Sequence, residues 1–249
     1  CLPDLAPGRL RRPLHFAFTY DEEVGCLGAQ QLVAELRHRQ LTPAIAILGE
    51  PTEMRIVEGH KGCNEYTTCF TGLAGHGSDP DRGVNAAEYA ARFVHRLLEL
   101  AEALRARAPN GSRFDPPWST LNVGRITAGS ARNVIAGSAE VEWETRPVSP
   151  DDAHFVTREV RSWCDAALPE MRARAPQATI VTQVIGEIAG LLPMQDNAAR
   201  DLVAALTGRN GADLVAFGTE AGLFQALGTS VVVCGPGSMA QGHKPDEYV

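Results

Sequence analysis

The order of apolar and polar positions along the chain predicts an α/β protein. Residues 14–20 alternate loosely, which predicts a strand, and residues 24–39 have the apolar spacing of a helix. Residues 44–48 are a continuous apolar run, which predicts a strand covered on both faces, as in a parallel sheet. Acidic residues follow both strands, at the edge where open α/β sheets bind their ligands.

The middle of the chain has a different order of elements. Four predicted strands are combined there with two amphipathic helices. These are a strand over 63–71, a helix over 82–107, strands over 118–128 and 133–146, a helix over 151–168 and a strand over 178–188. The resulting β-α-β-β-α-β order is that of the ferredoxin-like unit, or split βαβ.

The last part of the chain returns to the α/β pattern. It contains predicted helices over 195–207 and 221–227 and predicted strands over 214–217 and 229–234. We therefore expect a mostly parallel-sheet α/β domain, incomplete in this sequence, formed by residues 1–61 and 189–249. A ferredoxin-like α+β domain over residues 62–188 is inserted into it.

Composition narrows the possible function classes. The chain has 249 residues, a formal net charge of −7 and a pI of about 5.5. This balance argues against a nucleic-acid or anionic membrane partner, and there is no apolar run of about 18 residues that would span a bilayer. The six cysteines form no CxxC pair, which favours free thiols in a reducing compartment such as the cytoplasm. The first residues contain no apolar stretch typical of a signal peptide.

Two acidic motifs follow the first two predicted strands. The triplet Asp21-Glu22-Glu23 places three carboxylates side by side, which is explained by solvent exposure, by a helix N-terminus or by a divalent cation. Glu50 lies in a Gly-Glu-Pro turn, which is either a simple turn or a second oxygen ligand in the same crevice.

Two histidines lie in turns of small residues. His243 follows an apolar strand and a Gly-Pro-Gly turn, and it is either a structural loop residue or an imidazole ligand with Asp246 or Glu247 as its partner. His76 lies between two glycines and is either a surface residue or a side chain that projects into a site. The other histidines, His60 among them, lack acidic neighbours and are interpreted as structural.

Asn133 and Arg146 are the first and last polar residues of a predicted strand. Their separation of thirteen positions puts them on opposite faces, unless a bulge at Gly137 changes the register. Arg146 offers a bidentate fork that suits a substrate carboxylate, but a salt bridge to a nearby glutamate explains it equally well.

These motifs, taken together, resemble the M20 family of metallopeptidases and deacylases, and within it the acetylornithine deacetylase branch. The matching stretches are TYDEEVGCLGA, LGEPTEMRIVEGHKG, GLAGHGSDPDRGVNA, NVIAGSAEVEWETRP, FGTEAGLFQ and VCGPGSMAQGHKPDEYV. They occur in the family's order and span nearly the whole chain. The resemblance implies that the inserted domain is the family's dimerisation, or lid, domain and that the main domain is a metal hydrolase.

The resemblance also implies a role for each matching residue. Glu22 corresponds to the general base, while Glu23 and His243 correspond to ligands of one metal and Glu50 to a ligand of the other. His76 corresponds to the lid histidine that reaches the active site of the partner subunit.

Further residues of the resemblance concern the substrate. Asn133 and Arg146 correspond to lid positions near the substrate. Within the motif FGTEAGLFQ, Thr219 and Arg146 are our candidates for holding the α-carboxylate, and Glu220 for recognising a cationic side-chain end.

The implied enzyme is a homodimer with two zinc ions, or Co²⁺ or Mn²⁺, in each complete subunit, and its substrate is an N-acyl amino acid. We expect removal of acetate from N2-acetylornithine in arginine biosynthesis; the alternatives are a desuccinylase, an aminoacylase or a carboxypeptidase of the same family. The family's earlier segment, with a His ligand in an HxD context and an Asp that bridges the metals, is not in this sequence. We therefore expect a chain truncated at both ends, for which a non-catalytic dimerisation module is a further alternative.

Overall fold

The computed structural model of the protein describes residues 10–248, except for residues 11, 24, 216, 243 and 247. The strands within this described part form two four-stranded sheets and one two-stranded ribbon. Among the described residues, no helix is both long enough and apolar enough to cross a membrane.

The first sheet, here called the mixed sheet, has helices on both faces. Its strands lie in the order β1-β10-β2-β9; β1 is parallel to β10 and β2 to β9, while β10 and β2 are antiparallel. Val231 and Val233 pack with helices α1 and α5 on one face, whereas Val232 packs with α4 on the other. The elements are β1 (Ile45–Leu48), β2 (Ile56–His60), β9 (Ala212–Val215), β10 (Ser230–Val233), α1 (Leu27–His38), α4 (Ala198–Thr207) and α5 (Ala221–Gln225).

The second sheet, here called the antiparallel sheet, confirms the predicted ferredoxin-like unit. Its strands lie in the order β5-β7-β3-β8, and every neighbouring pair is antiparallel. Two helices cover one face, and their core includes Phe70, Phe93 and Trp143. The elements are β3 (Cys63–Thr71), α2 (Ala86–Ala106), β5 (Thr120–Ala128), β7 (Ser138–Arg146), α3 (Pro150–Arg174) and β8 (Thr179–Ile188).

Local sequence explains where the two long helices begin. The side chain of Asn85 accepts a hydrogen bond from the Ala87 amide at the start of α2. At the start of α3, Ser149 accepts one from the Asp152 amide, and Pro150 occupies the first turn, where its missing N–H costs nothing.

Several sequence-based expectations differ from the structure. Residues 14–20 form no strand, and their aromatic side chains are exposed, because no described strand pairs with them. Strand β2 was not predicted, and α3 continues through Pro169 because the next turn buries Met171. β1 is only partly covered, with Ile47 exposed, because it lies at the edge of the described sheet.

The predicted strand over 133–146 is also divided. Its start, β6 (Val134–Ile135), pairs with β4 (Gly75–His76) in the separate ribbon, and only β7 belongs to the antiparallel sheet. The break lies at Gly137, whose carbonyl accepts a hydrogen bond from the Gly72 amide. Asn133 precedes β6, so the face argument for Asn133 and Arg146 does not apply.

The chain passes between the two sheets at two adjacent points. Cys63, the first residue of β3, pairs with Ile188, the last residue of β8. A Cβ on Gly190 would lie 2.8 Å from both the Gly62 nitrogen and the His60 oxygen, so only glycine allows this approach. The crossings lie close to the predicted domain boundaries at 61/62 and 188/189, and that division remains a prediction.

Candidate active site

Glu22 and Glu23 lie in a tight turn before α1. Asp21 and Cys26, on either side of them, have positive φ angles of 52° and 57°, and the Glu22 carbonyl accepts hydrogen bonds from the amides of residues 25 and 26. Gly28 packs so closely on Tyr20 that a Cβ there would lie 2.6 Å from the Tyr20 nitrogen. The strained turn therefore holds the acidic pair against the start of the helix.

Glu50 follows β1, where the ends of two parallel strands meet. β10 runs beside β1 in the same direction, and the Cys234 amide still donates to the Leu48 carbonyl after the strands end. A Cβ on Gly235 would lie 2.5 Å from the backbone carbonyl oxygen of Glu50. Glycine is therefore required for the loop after β10 to contact the loop after β1. The loop that leads towards His243 is thus fixed beside Glu50.

Glu220 is the residue before α5, and its carboxylate is only partly satisfied. Oε1 accepts a hydrogen bond of 3.1 Å from the Thr19 hydroxyl, whereas Oε2 is buried and has no hydrogen-bond partner among the described residues. Burial raises the pKa of Glu220, and the Thr19 hydrogen bond opposes the shift. A buried carboxylate oxygen of this kind favours a cation as its partner.

Carboxylates from two of these segments affect Glu50 in the third. Burial raises the pKa of Glu50, and the charges of Glu220 and Glu23 raise it further. Burial together with the charges of Glu22, Glu220 and Glu50 raises the pKa of the Cys26 thiol to about 12. We call Glu22, Glu23, Glu50 and Glu220 the acidic cluster. A divalent cation would relieve this repulsion, and carboxylate oxygens are suitable ligands for one, so the residues present fit a metal.

The predicted metal ligands are only in part brought together. Glu23 and Glu50 lie within range of each other's charge, but His243 lies outside the described residues. Among the described residues, the one compact group of three possible ligand atoms is that of Cys63, Glu65 and Glu144, all within 4.8 Å of one another.

The positively charged side chain of Arg146 already pairs with this compact group. Arg146 donates to Glu144 Oε2 from Nε at 3.0 Å, and its Nη2 lies 2.7 Å from the same oxygen. The charge of Arg146 also opposes the effect of burial, which raises the pKa of Cys63. The alternative interpretation of Arg146 as a salt-bridge partner thus matches its geometry, and a substrate carboxylate would have to exchange with Glu144.

His76 and Asn133 lie together on the two-stranded ribbon. His76 pairs with the residue after Asn133, and the Gly77 amide donates to the Asn133 carbonyl at 2.8 Å. The His76 ring is exposed, and its Nδ1 accepts a hydrogen bond of 3.2 Å from the Ser78 amide. A neutral His76 therefore carries its proton on Nε2, where it is available as a donor.

Thr219 and His60 form a buried pair behind Glu220. The Thr219 hydroxyl lies 3.0 Å from His60 Nε2 and accepts from the Ala221 amide at 3.1 Å. The predicted contact between this hydroxyl and a substrate carboxylate does not fit this arrangement. Sequence reasoning missed His60 because its partner is distant along the chain; its place at the end of a buried strand was the only signal.

Comparisons with known proteins agree with the fold and the motifs. Residues 58–172 match the peptidase dimerisation domain of the M20 family. The whole chain is 32% identical over 248 residues to an acetylornithine deacetylase of Photorhabdus laumondii and 34% identical to one of Pectobacterium carotovorum. The chain spans 62% of the length of each of these relatives.

Solved structures show the same fold at lower sequence identity. Aminopeptidase PepT from Bacillus cereus matches with a TM-score of 0.61 and 19% identity, covering 87% of this chain and 54% of that one. A putative aminohydrolase from methicillin-resistant Staphylococcus aureus matches with a TM-score of 0.64 and 14% identity, covering 91% of this chain and 58% of that one. The chain is thus similar to M20 proteins over its whole length, and three of the four strands of its antiparallel sheet, β3, β5 and β7, lie within the match to the peptidase dimerisation domain.

Proposed function

We propose that the protein is a metal-dependent amide hydrolase that removes the acetyl group from N2-acetylornithine, giving ornithine and acetate for arginine biosynthesis. The observation that carries this proposal is the acidic cluster, in which carboxylates come together from three distant segments and the charges of Glu220 and Glu23 raise the pKa of Glu50. The similarity to acetylornithine deacetylases supports the choice of substrate. We also propose that the enzyme is cytoplasmic and that it acts as a homodimer through the dimerisation domain.

Glu23 and Glu50, together with His243, would hold the metal, for which we propose a pair of zinc ions. When bound, such ions supply a water of lowered pKa and polarise the amide carbonyl. Glu22 takes the proton from the attacking water and passes it to the departing amine, because a general base must lie beside the water that it activates. The turn between Asp21 and Cys26 holds Glu22 and Glu23 as neighbours for these two tasks.

The remaining residues bind and orient the substrate. His76 donates its Nε2 proton to the oxygen that becomes negatively charged during attack, in the active site of the partner subunit. Arg146 binds the α-carboxylate in place of Glu144, and Asn133, which lies beside His76, contacts the substrate from the same side as that histidine. Glu220 accepts the ammonium group at the end of the ornithine side chain.

The proposal is tested with the full-length protein and the isosteric variant Glu22→Gln. We expect the variant to keep its fold and its zinc content but to lose at least about a hundredfold in turnover, since general acid–base catalysis contributes on the order of 10²–10⁴. Retained hydrolysis with the variant would remove Glu22 from this role. A substrate panel of N2-acetylornithine, N-succinyl-diaminopimelate and simple N-acyl amino acids separates the deacetylase from other hydrolases of the family.

The contribution of His76 across subunits needs a separate experiment. Neither His76→Ala nor Glu22→Gln homodimers should be active, but mixed dimers should regain activity because one of their two sites has both residues intact. Verified heterodimers without activity would contradict the supply of His76 by the partner.

A further inference from the structure

A series of hydrogen bonds, each with a defined donor and acceptor, connects the start of α5 with the mixed sheet. The Ala221 amide donates to the Thr219 hydroxyl, which lies 3.0 Å from His60 Nε2. His60 Nδ1 lies 2.8 Å from the Lys61 carbonyl, which can only accept. Nδ1 therefore carries the ring proton, and the Thr219 hydroxyl must donate to Nε2.

The donor and acceptor roles in this series of hydrogen bonds are fixed. His60 is fully buried and Thr219 is 1% exposed, so water cannot replace either partner. Burial lowers the pKa of His60, which keeps the ring neutral and its Nε2 available as an acceptor. The position of Thr219 is thus fixed by two hydrogen bonds of defined direction.

The rest of α5 is clamped as well. The Gln225 side chain donates to the Leu192 carbonyl at 2.7 Å and accepts from the Leu192 amide at 2.8 Å. A Cβ on Gly222 would lie 2.2 Å from the Ala189 oxygen, so the helix touches the neighbouring backbone. Glu220 stands between these two fixed points, and its backbone has little room to move.

The Glu220 carboxylate is held in a definite direction. Oε1 is bound by the Thr19 hydroxyl, and Oε2 is buried, with no hydrogen-bond partner in the part of the chain that the structure describes. The charge of this carboxylate reaches Glu50. An exposed, mobile glutamate would bind any cation weakly, because ordering its side chain costs conformational entropy. A carboxylate that is already ordered avoids this cost.

We propose that His60 and Thr219 are positioning residues, which hold Glu220 so that its partly exposed carboxylate selects substrates with an ammonium group at the end of the side chain. This inference rests on the proposed function, because it concerns the substrate of the same site. It assigns Thr219 a role in selectivity through Glu220 rather than direct contact with the α-carboxylate.

The test uses the full-length zinc-loaded protein and two substrates of the same shape. N2-acetylornithine has a terminal ammonium group, and N-acetylnorleucine has a methyl group in its place. We expect Thr219→Val to raise KM for N2-acetylornithine about tenfold, the effect of a lost charge-assisted contact, with KM for N-acetylnorleucine unchanged. Thr219→Ser should restore the wild-type ratio, because it keeps the hydroxyl.

Thr229→Val is the matched control. Thr229 is fully buried and its hydroxyl has no hydrogen-bond partner within the described ranges, so this variant removes a buried hydroxyl without breaking a described hydrogen bond. It should change neither KM. If Thr219→Val reduces kcat/KM equally for both substrates, Thr219 has only a structural role and the proposal is overturned.

Glu220→Gln tests the proposed role of the Glu220 carboxylate in substrate preference directly. This test does not depend on whether the Thr219→Val variant folds. It should lower the preference for N2-acetylornithine over N-acetylnorleucine at least about tenfold with unchanged zinc content. An unchanged preference would overturn the proposal. Calorimetric binding of ornithine and norleucine to the same variants gives a readout without turnover. If the wild type hydrolyses neither substrate, the proposed function fails, while a preference for ornithine that Glu220→Gln abolishes would still support this inference.

Discussion

A buried carboxylate that binds two arginines connects the mixed sheet with the loop that precedes β5 of the antiparallel sheet. The side chain of Glu58, in β2, is 4% exposed; its Oε2 lies 3.1 Å from Arg200 Nη1 in α4, and its Oε1 is bound by Arg113 Nη1. Arg113 lies in the loop between α2 and β5, and it also donates to the Ala212 carbonyl at 2.8 Å. The loop of the antiparallel part is thus fastened to the mixed sheet through one glutamate.

The stability cost of removing the arginines follows from burial. Arg113→Met should cost about 1 kcal/mol, because its side chain is half exposed and the pair is screened by solvent. Arg200→Met should cost about 2 kcal/mol, since Arg200 is less exposed and also binds the carbonyls of Met194 and Gln195. The double variant leaves Glu58 buried and unpaired, which costs about 3–5 kcal/mol for that charge in addition to the other lost contacts.

The double variant should therefore lose more than the sum of the single variants, by at least about 1 kcal/mol. Urea unfolding gives these values, with tryptophan fluorescence reporting on the antiparallel part, where Trp118, Trp143 and Trp163 all lie, and circular dichroism on the whole chain. Adding Glu58→Gln to the double variant should recover stability, because it removes the buried charge. The assignment of a shared buried charge would be refuted if the stability losses of the two single variants simply added up in the double variant. It would also be refuted if Glu58→Gln restored no stability to the double variant.

Three further predictions concern the site. Glu50→Gln should raise the melting temperature of the metal-free protein and abolish the rise that zinc gives the wild type, because it removes a repelled carboxylate. Since the pKa of Glu50 is raised in the fold, the metal-free wild type should lose stability as the pH rises above 4.5, and this variant should lose less. Gly222→Ala should cost about 1–3 kcal/mol in urea unfolding because its Cβ meets the Ala189 oxygen. Cys26 should resist alkylation at pH 8 in the folded protein, as mass spectrometry would show, because its thiol has a pKa of about 12 and is buried.

Each of these predictions has a contrary outcome. An equal zinc-induced shift in the Glu50→Gln variant and the wild type would separate Glu50 from the metal. Gly211→Ala is the matched control for Gly222→Ala, because a Cβ on Gly211 meets nothing within 4 Å, and equal stability of the two variants would contradict the predicted clash. Alkylation of Cys26 as fast as in guanidinium-unfolded protein would show that the turn before α1 opens readily.

The regular alternation of buried and exposed positions along its strands made the antiparallel sheet predictable from the sequence. β3 runs from Cys63 to Thr71 as expected, because every second residue is buried. β2 escaped prediction although all five of its residues are buried, because two of them are polar and take their partners from distant segments: Glu58 from Arg113 and Arg200, and His60 from Thr219.

The same reason limits what the sequence says about the site. Acidic residues after two predicted strands predicted that Glu23 and Glu50 would lie near each other, and the charge of Glu23 does reach Glu50. The reason was right only for Glu50, which follows β1, because residues 14–20 form no strand and the turn before α1 places Glu23. The contact between Thr19 and Glu220 joins residues 201 positions apart, and no local pattern records it. The division of residues 133–146 at Gly137 depended on a hydrogen bond from Gly72, which is equally invisible along the strand.

The paired crossings between the sheets have a consequence for the evolution of the gene. Because Cys63 and Ile188 are hydrogen-bonded neighbours, the whole block between them leaves and re-enters the mixed sheet at one spot. A deletion of that block would leave two chain ends close enough to be rejoined by a short turn, without cutting a strand of the mixed sheet. The architecture therefore permits an ancestor without the block, to which recombination added it in a single event.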